Sequence, residues 1–107
     1  DFLDPDKYHT EYSSEGNSNF SLPLILKNKN IIRPVCDILE TNSVEYRLGT
    51  AGGGNQARQP YLEKFNFKIS GQLNNANYIH KNGLYIGNHS EINRERIKDL
   101  CEKLNDI

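Results

Sequence analysis

The run Ala51-Gly52-Gly53-Gly54-Asn55-Gln56-Ala57-Arg58-Gln59-Pro60 is where this sequence gathers the groups best able to do chemistry. Successive glycines let backbone N–H groups come close to an anion, and Asn55, Arg58 and Gln59 add side-chain donors. The chemistry this suits is the cradling of a phosphate. A plain flexible loop has the same composition, so the residues alone leave both readings open. The run is not a Walker A loop, because no Gly-Lys-Ser/Thr follows, and not a dinucleotide fingerprint, because no GxGxxG joins a strand to a helix.

A second candidate is Gly87-Asn88-His89-Ser90, between an expected strand and an expected helix, where a loop side chain is placed to reach a ligand. His89 there can donate to a phosphate or a carbonyl; an exposed turn histidine accounts for it equally well. Asn88-His89-Ser90 also matches a glycosylation sequon, which is read as coincidence without a visible secretory signal. His9 and His80 stand alone and are read as incidental. Glu91 and Glu95 are four residues apart, the spacing of a solvated helix face. No Ser/His/Asp grouping, carboxylate pair or metal-ligand cluster has a spacing that brings reacting groups together, so the chain is not expected to catalyse anything by itself.

The elements that must hold these groups can be read from apolar spacing. Residues 1–18 lack a sustained period and are rich in Ser, Asp, Glu and Asn, as in a linker or extended arm, with the domain proper over 19–107. Phe20, Leu22, Leu24, Ile25 and Leu26 make a first strand, which Pro23 pushes to a sheet edge or a bulge. Pro34 suits a first helical turn, and Val35, Ile38 and Leu39 share a face, giving a short helix that ends near Thr41-Asn42. Val44, Tyr46 and Leu48 alternate with Glu45 and Arg47 at strand period. Residues 49–60 form a loop, and 61–73 are irregular or partly helical. Asn74 is expected to cap a second helix closed by a left-handed Gly83, followed by a brief strand at Leu84-Tyr85-Ile86. Asn93 caps the last helix, in which Ile97, Leu100, Cys101 and Leu104 form one stripe. The order β, α, β, loop, α, β, α gives an α+β fold, a small antiparallel or mixed sheet of about three strands with helices on one face.

A chain of 107 residues supports one domain, and 36% hydrophobic residues with a mean hydropathy of -0.75 make a thin core. The 13 basic and 14 acidic residues nearly cancel, so no global field draws nucleic acid or anionic lipid. No apolar run approaches a bilayer-spanning length of about 20 residues. Cys36 and Cys101 lie at helical apolar positions with no CxxC pairing, as reduced core thiols do. A start at Asp1 rather than Met is expected of a piece whose true beginning lies upstream.

Taken in order, Leu22-Pro23-Leu24-Ile25-Leu26, Val44-Glu45-Tyr46-Arg47, Gly53-Gly54-Asn55-Gln56-Ala57-Arg58-Gln59-Pro60, Asn74-Asn75-Ala76-Asn77 and Gly83-Leu84-Tyr85-Ile86-Gly87-Asn88-His89 resemble the C-terminal region of the DegT/DnrJ/EryC1/StrS aminotransferases. The resemblance spans about Asn19 to Ile107 and is nearest the branch of sugar 3-dehydrases and lipopolysaccharide-type aminotransferases. It implies the small C-terminal domain of a homodimeric fold-type I pyridoxal-phosphate enzyme, cytoplasmic, closing over a nucleotide-linked keto sugar in cell-surface polysaccharide or deoxysugar synthesis. Pyridoxal phosphate would sit in a large upstream domain. None of the lysines here lies in a segment resembling the cofactor motif, so none is expected bound to this chain. Carried over residue by residue, Arg47, Asn55, Arg58, Asn88 and His89 are expected near substrate, with the arginines suited to a diphosphate. Other readings are a domain of a pyridoxal-phosphate-dependent sugar 3-dehydrase, a free-standing phosphate or nucleotide module, and an interaction domain without ligand. The first reading also implies an apolar face left exposed, with marginal stability or self-association.

Overall fold

The computed structural model describes residues 2–13, 15–49 and 54–107. Among them the chain forms a three-stranded antiparallel sheet and three α-helices, an α+β arrangement. The strands are β1 (Ser21–Ile25), β2 (Tyr46–Leu48) and β3 (Gly83–Gly87), and the helices α1 (Ile32–Thr41), α2 (Asn74–Asn82) and α3 (Arg94–Asn105). Short 3-10 turns cover Lys29–Ile31, Gln56–Arg58 and Pro60–Lys64.

The last strand in sequence is central: β3 pairs with β1 on one side and β2 on the other. The register sets Leu24 opposite Leu84 and Leu48 opposite Leu84 on one face, and Pro23 and Arg47 opposite Tyr85 on the other. Because side chains alternate along a strand, this register sends one apolar set to the helices and leaves Arg47 and Tyr85 on the open face. Pro23 is tolerated because β1 is an edge strand.

The core joins Leu24, Leu84, Val35, Cys36, Leu39 and Leu104, so α1 and α3 lie against the same sheet face. Both cysteines are free and buried. The largest fully buried side chain is Tyr8, from the irregular N-terminal stretch. Its backbone forms a bridge with Leu26, and its hydroxyl donates to the Leu104 carbonyl at 2.8 Å. Burial, then the nearby Cys101 and Asp4, pushes this phenol up to about 12.

Asn93 caps α3 as expected, accepting from the Glu95 amide at 2.8 Å. Two helix-end expectations need correction. Asn74 is the first residue inside α2; the cap position is Leu73, and the Asn74 amide donates to Gln72 instead of serving a free helical N–H. Gly83 is extended, at φ -106°, and begins β3 without an intervening turn. A left-handed residue has no place where a helix runs straight into a strand. Glycine is needed there for space, since a Cβ would lie 2.5 Å from the Ile79 carbonyl oxygen.

Beyond the turn at Pro60–Lys64, residues 65–73 run without regular structure. Phe65, Phe67 and Ile69 are exposed along this stretch. No described helix is long and apolar enough to cross a membrane.

Candidate functional site

The five site residues expected from the sequence fall into two groups. Asn55 and Arg58 stand on the connection that follows β2. Asn88 and His89 stand at the far end of β3, where it turns toward α3. Arg47 lies between them on β2, exposed and across from Tyr85.

Gly54 begins the described part of the glycine run; Ala51, Gly52 and Gly53, which the phosphate-cradle reading also needs, lie outside the described residues. A Cβ on Gly54 would meet the Gly49 carbonyl oxygen at 2.5 Å and His80 Nδ1 at 2.7 Å, so only glycine lets the connection press this closely on α2. Asn55 then becomes one of two buried polar side chains among the described residues. Its Oδ1 accepts from the Ala57 amide at 3.0 Å, which starts the Gln56–Arg58 turn. Its Nδ2 donates to Asn77 Oδ1 at 2.8 Å, and its backbone N–H donates to His80 Nδ1 at 3.2 Å. Arg58 Nε donates to the same Asn77 oxygen at 2.7 Å.

These contacts fix the chemistry of the partners. A backbone amide and a guanidinium Nε can only donate, so Asn77 presents its oxygen and neutral His80 carries its ring proton on Nε2. His80, which stands alone in sequence, is therefore a bound partner of the loop. Asn77 and His80 are the residues that site reasoning from the sequence missed. Their spacing of three puts them on one face of α2, the one available signal. Among the described residues Arg58 pairs with no carboxylate, and no acceptor meets its terminal guanidinium nitrogens. The arrangement presents a cation of fixed orientation and unneutralised charge at an exposed position, a group suited to an anion.

At the other end, the Asn88 side-chain amide donates to the Asn19 carbonyl at 2.7 Å and its backbone N–H to Phe20 O at 2.9 Å. Asn88 thus ties the start of β1 to the end of β3. It also lines, with His89, Arg96, Ile97 and Leu100, a cleft of about 530 Å³ between the sheet and α3. A second, shallower depression of about 620 Å³ holds Arg47, Tyr46, Tyr85, Phe20 and Glu40. Ser43, Val44, Glu45 and Gly87 line both hollows, so Arg47 and His89 flank a shared rim. Asn55 and Arg58 line neither. The Tyr46 hydroxyl donates to Glu40 Oε1 at 2.6 Å; that bond, then Cys36, holds the phenol well above its ordinary value and keeps it protonated.

Pyridoxal phosphate needs an amine or imidazole at its aldehyde carbon and an acid at its ring nitrogen. Neither hollow is lined by a lysine; the cleft beside α3 carries one imidazole, His89, and the carboxylates of Glu45, Glu91 and Asp99. No three or more His, Cys, Asp or Glu among the described residues group as metal ligands.

No protein-family model matches the chain, and no curated protein matches it. Among solved structures it is similar to GDP-4-keto-6-deoxymannose-3-dehydratase with a trapped PLP-glutamate geminal diamine, at 27% identity and a TM-score of 0.65. The match covers 79% of this chain and 22% of that one, so the chain spans about a fifth of the enzyme it resembles.

Proposed function

We propose that this chain is the small domain that closes over substrate in a pyridoxal-phosphate-dependent enzyme acting on a nucleotide-linked keto sugar, of the DegT/DnrJ/EryC1/StrS family. The observation that carries this reading is the structural match at TM-score 0.65 over 79% of the chain. The sequence resemblance to that family spans about residues 19–107. The cofactor, when bound by the rest of such an enzyme, supplies an electron sink at the sugar carbon undergoing reaction.

This chain's residues would bind and orient. Arg58 offers a forked, charge-assisted contact to the diphosphate, with Asn55 holding the loop that carries it. Arg47, from the middle of the sheet, and Asn88 and His89, from the far end of β3, would approach the same substrate. Tyr85 opposite Arg47 adds a partly buried ring to that side.

Two chemistries share this framework: amino transfer from glutamate to a 3-keto or 4-keto sugar, and removal of the 3-hydroxyl. The similar solved structure is that of a 3-dehydratase, which favours the second. The intact enzyme would be a cytoplasmic homodimer in cell-surface polysaccharide or deoxysugar synthesis. Incubating the whole enzyme with pyridoxal phosphate, glutamate and GDP-4-keto-6-deoxymannose separates the two, an amino sugar marking transfer and a 3-deoxy sugar marking dehydration. The chain alone is expected to give no aldimine absorbance with pyridoxal phosphate. A stable band traced to one of its lysines would overturn the assignment to a domain without its own cofactor site.

A further inference from the structure

We propose that Asn77 is a positioning residue for Arg58, one that fixes the guanidinium without neutralising it so that both terminal nitrogens face a diphosphate. The proposal rests on the diphosphate reading of Arg58 given above and adds the residue that makes that contact selective.

The argument begins from what a free arginine lacks. An exposed guanidinium on a flexible stem loses side-chain entropy when it binds, and it has no preferred edge toward a ligand. Here the Nε edge is occupied, by an acceptor 2.7 Å away on a different element. That acceptor is itself oriented, because Asn77 Oδ1 also receives Asn55 Nδ2 at 2.8 Å. Asn55 is buried and held by the Ala57 amide and by His80. The chain of contacts therefore runs from the rigid helix α2 through Asn77 to Arg58, with Asn55 closing the loop.

The identity of the acceptor matters as much as its place. A carboxylate in this position would orient Arg58 equally well and would cancel its charge. An amide oxygen orients it and leaves the full cation to an incoming anion. With Nε taken, the remaining edge is the pair of terminal nitrogens, whose fork matches two oxygens of one phosphate or of adjacent phosphates.

The test uses the chain with inorganic pyrophosphate and then GDP as probes, read by the NMR signal of the Arg58 Nε–H group and by titration. In the native protein this N–H should exchange slowly with solvent. Asn77→Ala should abolish that protection and weaken pyrophosphate about tenfold, because the freed arginine must then give up side-chain entropy on binding. Asn77→Asp should keep the protection and still weaken binding at least as far. It also serves where the alanine variant fails to fold. The proposal is overturned if Asn77→Ala leaves the Arg58 N–H protected, or if Asn77→Asp binds pyrophosphate as tightly as native. Arg58→Ala decides the underlying reading separately: unchanged affinity there removes the diphosphate contact, whatever the N–H exchange shows.

Discussion

Residues 2–9 and 61–69 both lie outside the α-helices and the three-stranded sheet and carry aromatic side chains, and they meet opposite fates. The first stretch buries Tyr8 completely, while the second leaves Tyr61, Phe65, Phe67 and Ile69 exposed, Phe65 at 64%. Composition does not separate them; what lies behind them does. Residues 2–9 lie against the end of β1 and the last turn of α3. His9 N–H donates to Ile25 O at 2.8 Å, Lys27 N–H to Lys7 O at 2.8 Å, and Asp4 N–H to Asn105 Oδ1 at 2.8 Å. Past the turn at Pro60–Lys64, residues 66–72 have no such ladder among the described residues. An irregular segment is thus ordered by the backbone partners it finds, and its apolar side chains follow.

The largest expected effect is at Tyr8. Tyr8→Ala should cost about 3–5 kcal/mol, as for other large aromatic truncations in a core, and should unfold a thin-cored domain in urea titration. A loss below about 1 kcal/mol would mean that the N-terminal stretch is not part of the core.

A milder perturbation of the same contact is pH. The Tyr8 phenol sits at about 12 in the folded chain against an ordinary value near 10. A raised acid binds its proton more tightly when folded, so its contribution is complete below pH 10 and is lost as pH rises through 12. That loss amounts to about 2–3 kcal/mol. Unfolding free energy measured across pH 9 to 12 should fall accordingly, and Tyr8→Phe should flatten the slope in that window. An unchanged slope would show that some other group governs alkaline unfolding.

The contrast also explains what the sequence could disclose. Strand β2 was legible because Val44, Tyr46 and Leu48 alternate with charged residues, and α3 because Leu100, Cys101 and Leu104 repeat at helical spacing behind Asn93. Those patterns are local. Tyr8 was not legible, because its partners Leu26 and Leu104 lie far along the chain and no period links them. The loop cluster was half legible. Donor types flagged Asn55 and Arg58, but Asn77 and His80 join them only through contacts about twenty residues distant. Gly83 drew attention for its residue type, yet its reason is steric closeness to Ile79 and not a left-handed backbone.

The smallest effect on stability, and the sharpest test of the contrast, concerns the exposed stretch. Phe65 and Phe67 alternate with Asn66 and Lys68, and both are exposed, Phe65 at 64% and Phe67 at 41%. Replacing both by serine should change the unfolding free energy by no more than about 1 kcal/mol, as for exposed positions away from the core. The same pair of changes should reduce concentration-dependent self-association in sedimentation velocity, because adjacent exposed aromatics form the kind of apolar patch that a soluble domain normally covers. If the double variant were instead strongly destabilised, these rings would be packing within the fold, and the two stretches would differ only in degree. If stability and association both stayed unchanged, the patch would have no share in contact between copies.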